Sequence, residues 1–215
     1  MTKIAIARWC RRFAAGSALV VSCACSLLFP AATPHPAFYS LDSARGIEPA
    51  ESQAAAAPTL SVSPPVAAAG FDSTRIIYVR EAHKLEYFAH SEWVDPPARM
   101  LAPLLVATLE RTGAFRAAKL TPSAAGSDLR LDTEIIRLQH EFGTQPSRVR
   151  FTLRAYLVDD KTRRVLARRE FEAVVPASSE DPYGGVVAAN QAVQTVLQNL
   201  SAFCAEAALR AGMKR

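Results

Sequence analysis

Cysteine is scarce in this chain, with four among 215 residues, and none of the pair spacings that build a zinc site is present. Cys10, Cys23 and Cys25 crowd the start and Cys204 stands alone near the other end, so no disulfide framework is expected. Glycine is scarce too, and its nine residues form no phosphate-cradling loop. G-x-S-x-G and H-E-x-x-H are both missing, and no apolar run reaches the roughly 20 residues that a membrane helix needs. No repeat of solenoid length is visible. These absences remove the motif-bearing hydrolases, zinc proteases, P-loop proteins and helical membrane proteins from consideration.

What the chain does have is a formal charge of +5 and a pI near 9.2, and their origin is local. Residues 1–22 contain Lys3, Arg8, Arg11 and Arg12 with no Asp or Glu, so the remainder carries 21 basic against 20 acidic residues. A near-neutral remainder gives no reason to expect nucleic acid as a partner. The basic stretch runs into the apolar segment from Phe13 to Val21 and then Ser22-Cys23, the three-part layout of a secretion signal. Val20-Val21-Ser22-Cys23 resembles the bacterial lipobox, so residues 1–22 are expected to be a lipoprotein signal peptide and Cys23 the lipid-modified N-terminus. Cys25 is a weaker alternative, lacking the branched apolar residue three places before the cut. The plainer alternative is an ordinary secretory signal. Ala24, where Asp would retain the protein in the inner membrane, favours an outer-membrane destination facing the periplasm.

Residues 23–58 are rich in Ala, Pro and Ser, a composition that cannot bury enough surface to fold, and they read as a tether. Phe38-Tyr39-Ser40-Leu41 interrupts it as a strand-like island, giving a possible short strand at 37–41. Residues 59–212 carry the domain. Leu60 and Val62, then Arg75–Val79 and Lys84–Phe88, are β-prone. Asp95-Pro96-Pro97 begins a helix, with Asp95 expected as its cap, Met100, Leu101, Leu104, Leu105, Val106 and Leu109 on its apolar face, and Pro103 as an internal offence. Alternation over Leu129–Ile135 slips by one residue at Ile136, which suggests a bulge. Val149–Leu157 is the clearest strand, Asp159–Thr162 a hairpin turn, and Val165–Val175 the returning partner. Asp181-Pro182 starts a last helix with Val186, Ala189, Val193, Val196, Leu197, Leu200 and Cys204 at helical spacing. The fold class expected is α+β, an antiparallel or mixed sheet with two helices on one face.

Candidates for chemistry are few. His140-Glu141 could be imagined as an acid–base pair, but strand neighbours point to opposite faces, and a solvated hairpin end is the plainer reading. Gly184-Gly185 reads as a loose helix start, and Cys204 as a small buried hydrophobe. Two surfaces remain. The outer strand faces carry Arg130, Asp132, Glu134, Arg150, Arg154, Arg168, Glu170 and Glu172, a pattern that suits cross-strand pairing or a docking face. Tyr78, Tyr87, Phe88 and Trp93 form the other, as core edges or as anchors for a partner. Partner-binding candidates are therefore Tyr78, Tyr87, Phe88, Trp93, Arg150 and Arg154, with no catalytic or metal-binding residue and no cofactor beyond a lipid on Cys23.

Arg75–Tyr78, Leu85–Ala89, Trp93–Leu101, Leu109–Phe115, Val165–Phe171 and Ala188–Ala192 together resemble the ABC-type transport auxiliary lipoproteins, which include the paraquat-inducible protein C group. The likeness spans about residues 37–205. It implies a non-enzymatic outer-membrane accessory that works with an MCE-domain protein and inner-membrane ABC or permease components in lipid transport, and it leaves homo-oligomeric assembly open. The alternative is a lipoprotein that assists assembly of an outer-membrane β-barrel or lipopolysaccharide machine.

Overall fold

Two long alternating segments in the second half of the chain set the architecture. The computed structural model describes residues 35–42, 57–122 and 126–212; Cys23, the signal segment and much of the Ala/Pro-rich stretch lie outside the described residues. Within them the elements are β1 (Ala37–Tyr39), β2 (Thr59–Val62), β3 (Val66–Ala67), β4 (Arg75–Val79), β5 (Glu86–Trp93), α1 (Pro97–Glu110), β6 (Ala117–Leu120), β7 (Leu129–Glu141), β8 (Arg148–Asp159), β9 (Val165–Pro176) and α2 (Pro182–Gly212). They form a mixed sheet with two helices.

β7 is the spine. One edge pairs antiparallel with β8 along its whole length, and β8 pairs in turn with β9. The other edge is shared by three parallel strands placed end to end: β2 against Leu129–Leu131, β3 against Glu134–Ile135, and β4 against His140–Glu141. β6 then flanks β2, while β5 and β1 flank β4. The register shifts between Ile135 and Arg137, where the alternation slipped. One extra residue there returns Leu138 to the face already occupied by Leu131 and Ile135. That face meets Phe151, Leu153 and Leu157 of β8, together with Leu101, Leu105 and Leu109 of α1 and Val193, Val196 and Leu200 of α2, in one buried cluster. Both helices thus cover one side of the sheet.

The helix starts show what cap chemistry demands. Asp181 accepts the Gly184 N–H at 2.7 Å with Pro182 behind it, so this cap is as expected. Asp95 is not the cap of α1. Pro96 holds that position, with no side-chain cap bond, and Asp95 lies 3.4 Å from Arg99 instead. Asp95 sits one residue too far upstream to reach the first free N–H groups beyond the two prolines. Pro103 is accommodated in α1 on its exposed side, where water can serve the carbonyl freed by the missing N–H.

The strand-like island joins the sheet. Ala37, Phe38 and Tyr39 pair parallel with Ser91, Glu92 and Trp93, and the chain then passes α2. Asn190 grips it there: its Oδ1 accepts the Asp42 N–H at 2.9 Å and its Nδ2 donates to the Ser40 carbonyl at 3.1 Å. Leu41, 6% exposed, plugs into the core beside this clamp. Asn190→Ala removes both bonds, a loss of about 2 kcal/mol. It is expected to speed amide exchange at residues 37–42 while leaving β7–β9 protected; unchanged exchange would mean that Leu41 alone holds the segment.

Candidate functional site

The aromatic residues singled out in the sequence do not form one patch. Trp93 is 3% exposed and belongs to the core, so its ring offers no contact surface. Tyr87, half exposed, lies under the Arg75 guanidinium at 4.1 Å. Tyr78 and Phe88 come together with ring centroids 4.6 Å apart, at the end of the sheet where β4 meets β7. Phe142 closes on Tyr78 edge-on at 5.8 Å, and it stacks against His140 at 4.2 Å.

His140 corrects the reading of a solvated hairpin end. It is 2% exposed, its Nε2 lies 2.7 Å from Ser147 Oγ, and its Nδ1 has no hydrogen-bond partner. That nitrogen faces the α2 backbone so closely that a Cβ on Gly185 would fall 2.5 Å from it. Gly184-Gly185 is therefore a tight contact and not a loose start. Burial pushes the His140 imidazole below its usual range, against the opposing pull of Glu180 and Asp181. The Ser147 N–H donates to Glu180 at 2.8 Å and its carbonyl accepts the Ala177 N–H at 2.7 Å. The hub ties the β7–β8 turn to the segment that leads into α2. A serine beside a histidine invites a nucleophilic reading, but Ser147 is fully buried and the second ring nitrogen meets a glycine where an orienting carboxylate would stand.

Glu141, the next residue, faces the opposite side, as strand geometry requires. It begins a charge network across the open face of β7, β8 and β9. Glu141 accepts from Arg150 at 2.7 Å and from Arg148 at 2.9 Å, and Arg150 reaches on to Glu172 at 2.6 Å. Arg154 bridges Glu134 and Glu170, both at 3.1 Å, and Arg130 bridges Asp132 and Asp160. Burial alone would raise the Glu141 carboxyl, but donors from Arg150, Gln139 and Arg148 outweigh it and bring the group down to about 2. Arg150 and Arg154 are thus held between carboxylates, giving a face of fixed mixed charge. A shallow cleft of about 190 Å³ opens beside Glu141 and Arg148, lined also by Arg80, Glu81 and Thr144. The sequence marked the arginines, but Phe142, Ser147 and Glu180 carried no local signal.

Cys204 is buried in the core, and burial pushes its thiol up to about 12. Among the described residues no helix is long and apolar enough to cross a membrane, and no group of three or more His, Cys, Asp or Glu is placed to hold a metal ion.

The model of the family described as ABC-type transport auxiliary lipoprotein component matches residues 39–201. No curated protein matches the chain. Among solved structures, the chain is similar to a Xanthomonas campestris protein of the DUF330 family, with a TM-score of 0.72 and 24% identity over 82% of this chain and 98% of that one. A second, uncharacterised protein gives a TM-score of 0.62 and 14% identity over 80% and 99% of the two chains. Both likenesses are likenesses of fold.

Proposed function

The chain belongs to the ABC-type transport auxiliary lipoproteins, and we propose that it acts there as a non-enzymatic docking component, anchored in the outer membrane through lipid on Cys23, for an MCE-domain partner in lipid transport. The family match over residues 39–201 carries this reading, because it covers β2 to β9, all of α1 and the first 20 of the 31 residues of α2. Two features support it. The Ser–His pair is sealed inside the structural hub, and the carboxylates Glu134, Glu141, Glu170 and Glu172 of the open sheet face are each paired with an arginine. A face of this kind presents fixed charge for recognition and leaves no free general base on β8.

The docking surface is the open face of β7–β9 with Arg150 and Arg154 at its centre, extended by Tyr87. Tyr78 and Phe88 support its end from beneath. Full-length lipidated protein, affinity-purified from detergent-solubilised envelope, is expected to bring an MCE-domain protein and inner-membrane transporter subunits with it. Recovery of a β-barrel protein in their place would contradict this function.

A further inference from the structure

Because β1 belongs to the sheet, the chain arriving from Cys23 joins the domain at a defined edge. β1 pairs only with β5 among the described strands, so its other side is open. Phe38 stands opposite Glu92 on one side of this edge, and Val94 follows directly after β5, its N–H donating to the Tyr39 carbonyl at 2.8 Å. Tyr39 points to the other side, and its ring lies 6.5 Å from that of Tyr183 in the first turn of α2. Three large apolar side chains therefore surround the point where the chain enters: Phe38 at 60% exposure, Val94 at 55% and Tyr183 at 62%. Single exposed apolar residues need no explanation, but a group that straddles one open strand calls for an occupant.

Resting on the reading of Cys23 as the lipid anchor, we propose that this β1 rim is the face the domain lays against the lipid surface that holds it. Residues 24–36, thirteen in all, separate Cys23 from β1. Fully extended they reach at most about 45 Å, so the β1 edge stays within that distance of the bilayer. Aromatic side chains with one polar end, such as Tyr183, favour the headgroup boundary. The nearby carboxylates are already engaged: Glu92 accepts from Thr74, Asp95 faces Arg99, and Asp181 accepts from Ser179 and Gly184. Among the described residues no basic cluster accompanies the rim, so its chemistry fits a zwitterionic phosphatidylethanolamine surface and does not select anionic lipid.

The test uses full-length lipidated protein in vesicles of phosphatidylethanolamine and phosphatidylglycerol whose acyl chains are brominated, a short-range quencher of tryptophan. Phe38→Trp and Tyr183→Trp are compared with Leu209→Trp, which is 68% exposed near the other end of α2, against the background of buried Trp93. At positions 38 and 183 the quenching is expected to be at least about twofold that at 209, as for residues at an aromatic belt. Vesicle flotation of the same samples reports on the anchor separately. Protein that floats but shows equal quenching at all three positions overturns the rim proposal and leaves the anchor standing. Protein that does not float overturns the anchor reading and the rim with it. A concentration-dependent blue shift at position 38 in detergent, with no quenching in vesicles, would assign the rim to a second copy of the chain and overturn the lipid assignment.

Discussion

Gly185→Ala is expected to destabilise the domain by about 2 kcal/mol, where helix propensity alone would have it stabilise by about 1 kcal/mol. The added methyl would meet three atoms of one ring, His140 Nδ1 at 2.5 Å, Cε1 at 3.1 Å and Cγ at 3.3 Å. That ring cannot step aside, since Phe142 stacks on it at 4.2 Å and Ser147 holds Nε2 at 2.7 Å. For a domain of this size the loss corresponds to a fall in Tm of about 6 °C. The clash lies with a single partner, so a double-mutant cycle isolates it. His140→Ala is costly alone, through a cavity and an abandoned Ser147 hydroxyl, but in its presence Gly185→Ala is expected to regain most of its 2 kcal/mol or so. Gly143→Ala, with nothing within 4 Å of the added carbon, serves as the neutral control. An additive cycle would mean that the α2 start is loose after all.

Glu141→Gln is expected to cost about 2 kcal/mol near neutral pH, and the cost should shrink in acid. Glu141 takes donors from Arg148, Arg150 and Gln139, and its side chain is only 15% exposed. Its folded-state carboxyl titrates at about 2, below the unfolded value of 4.5. The unfolded chain therefore binds this proton first as pH falls. The stability the carboxylate supplies is present in full above about pH 5, and it drains away as pH drops toward 2. Denaturant melts of the two proteins should converge across that window. A difference that stays constant with pH would show that shape, not charge, makes Glu141 matter.

These two residues mark where local pattern stops being informative. The β8 alternation named its own faces, because a strand half buried against helices must alternate. The slip at Ile136 showed the bulge for the same reason. His140 sits in an equally regular strand, yet its burial depends on Phe142, on Phe88 from β5 and on Gly185 from α2, and no window of sequence contains all three. Gly184-Gly185 carried the mark of looseness because glycine is read locally as freedom; across the fold it is the absence of a clashing Cβ. Trp93 could be read as a core edge or as an anchor at a strand end, and its place beside Ile76, Gly185 and Ala189 decides for the core. Phe38–Leu41 was visible as a strand, but its partner strand and the Asn190 clamp lie about 50 and 150 residues away. The charge ladder was legible by sign and position. Its pairing across neighbouring strands was legible too; what the sequence withheld was which carboxylates each arginine takes, Glu141 and Glu172 for Arg150, Glu134 and Glu170 for Arg154.

The transport partner is expected to dock on the open sheet face that runs from β7–β9 to Tyr87 of β5, and site-specific photo-crosslinking tests this most directly. A photoreactive side chain at position 87, beside Arg75 on the exposed surface, would be introduced into the full-length lipidated protein in intact cells. Position 209, near the far end of α2, is the control. The expected result is a single adduct with an MCE-domain protein from position 87 and none from 209. An adduct from position 87 to an outer-membrane β-barrel protein, with no MCE-domain adduct, would contradict the account.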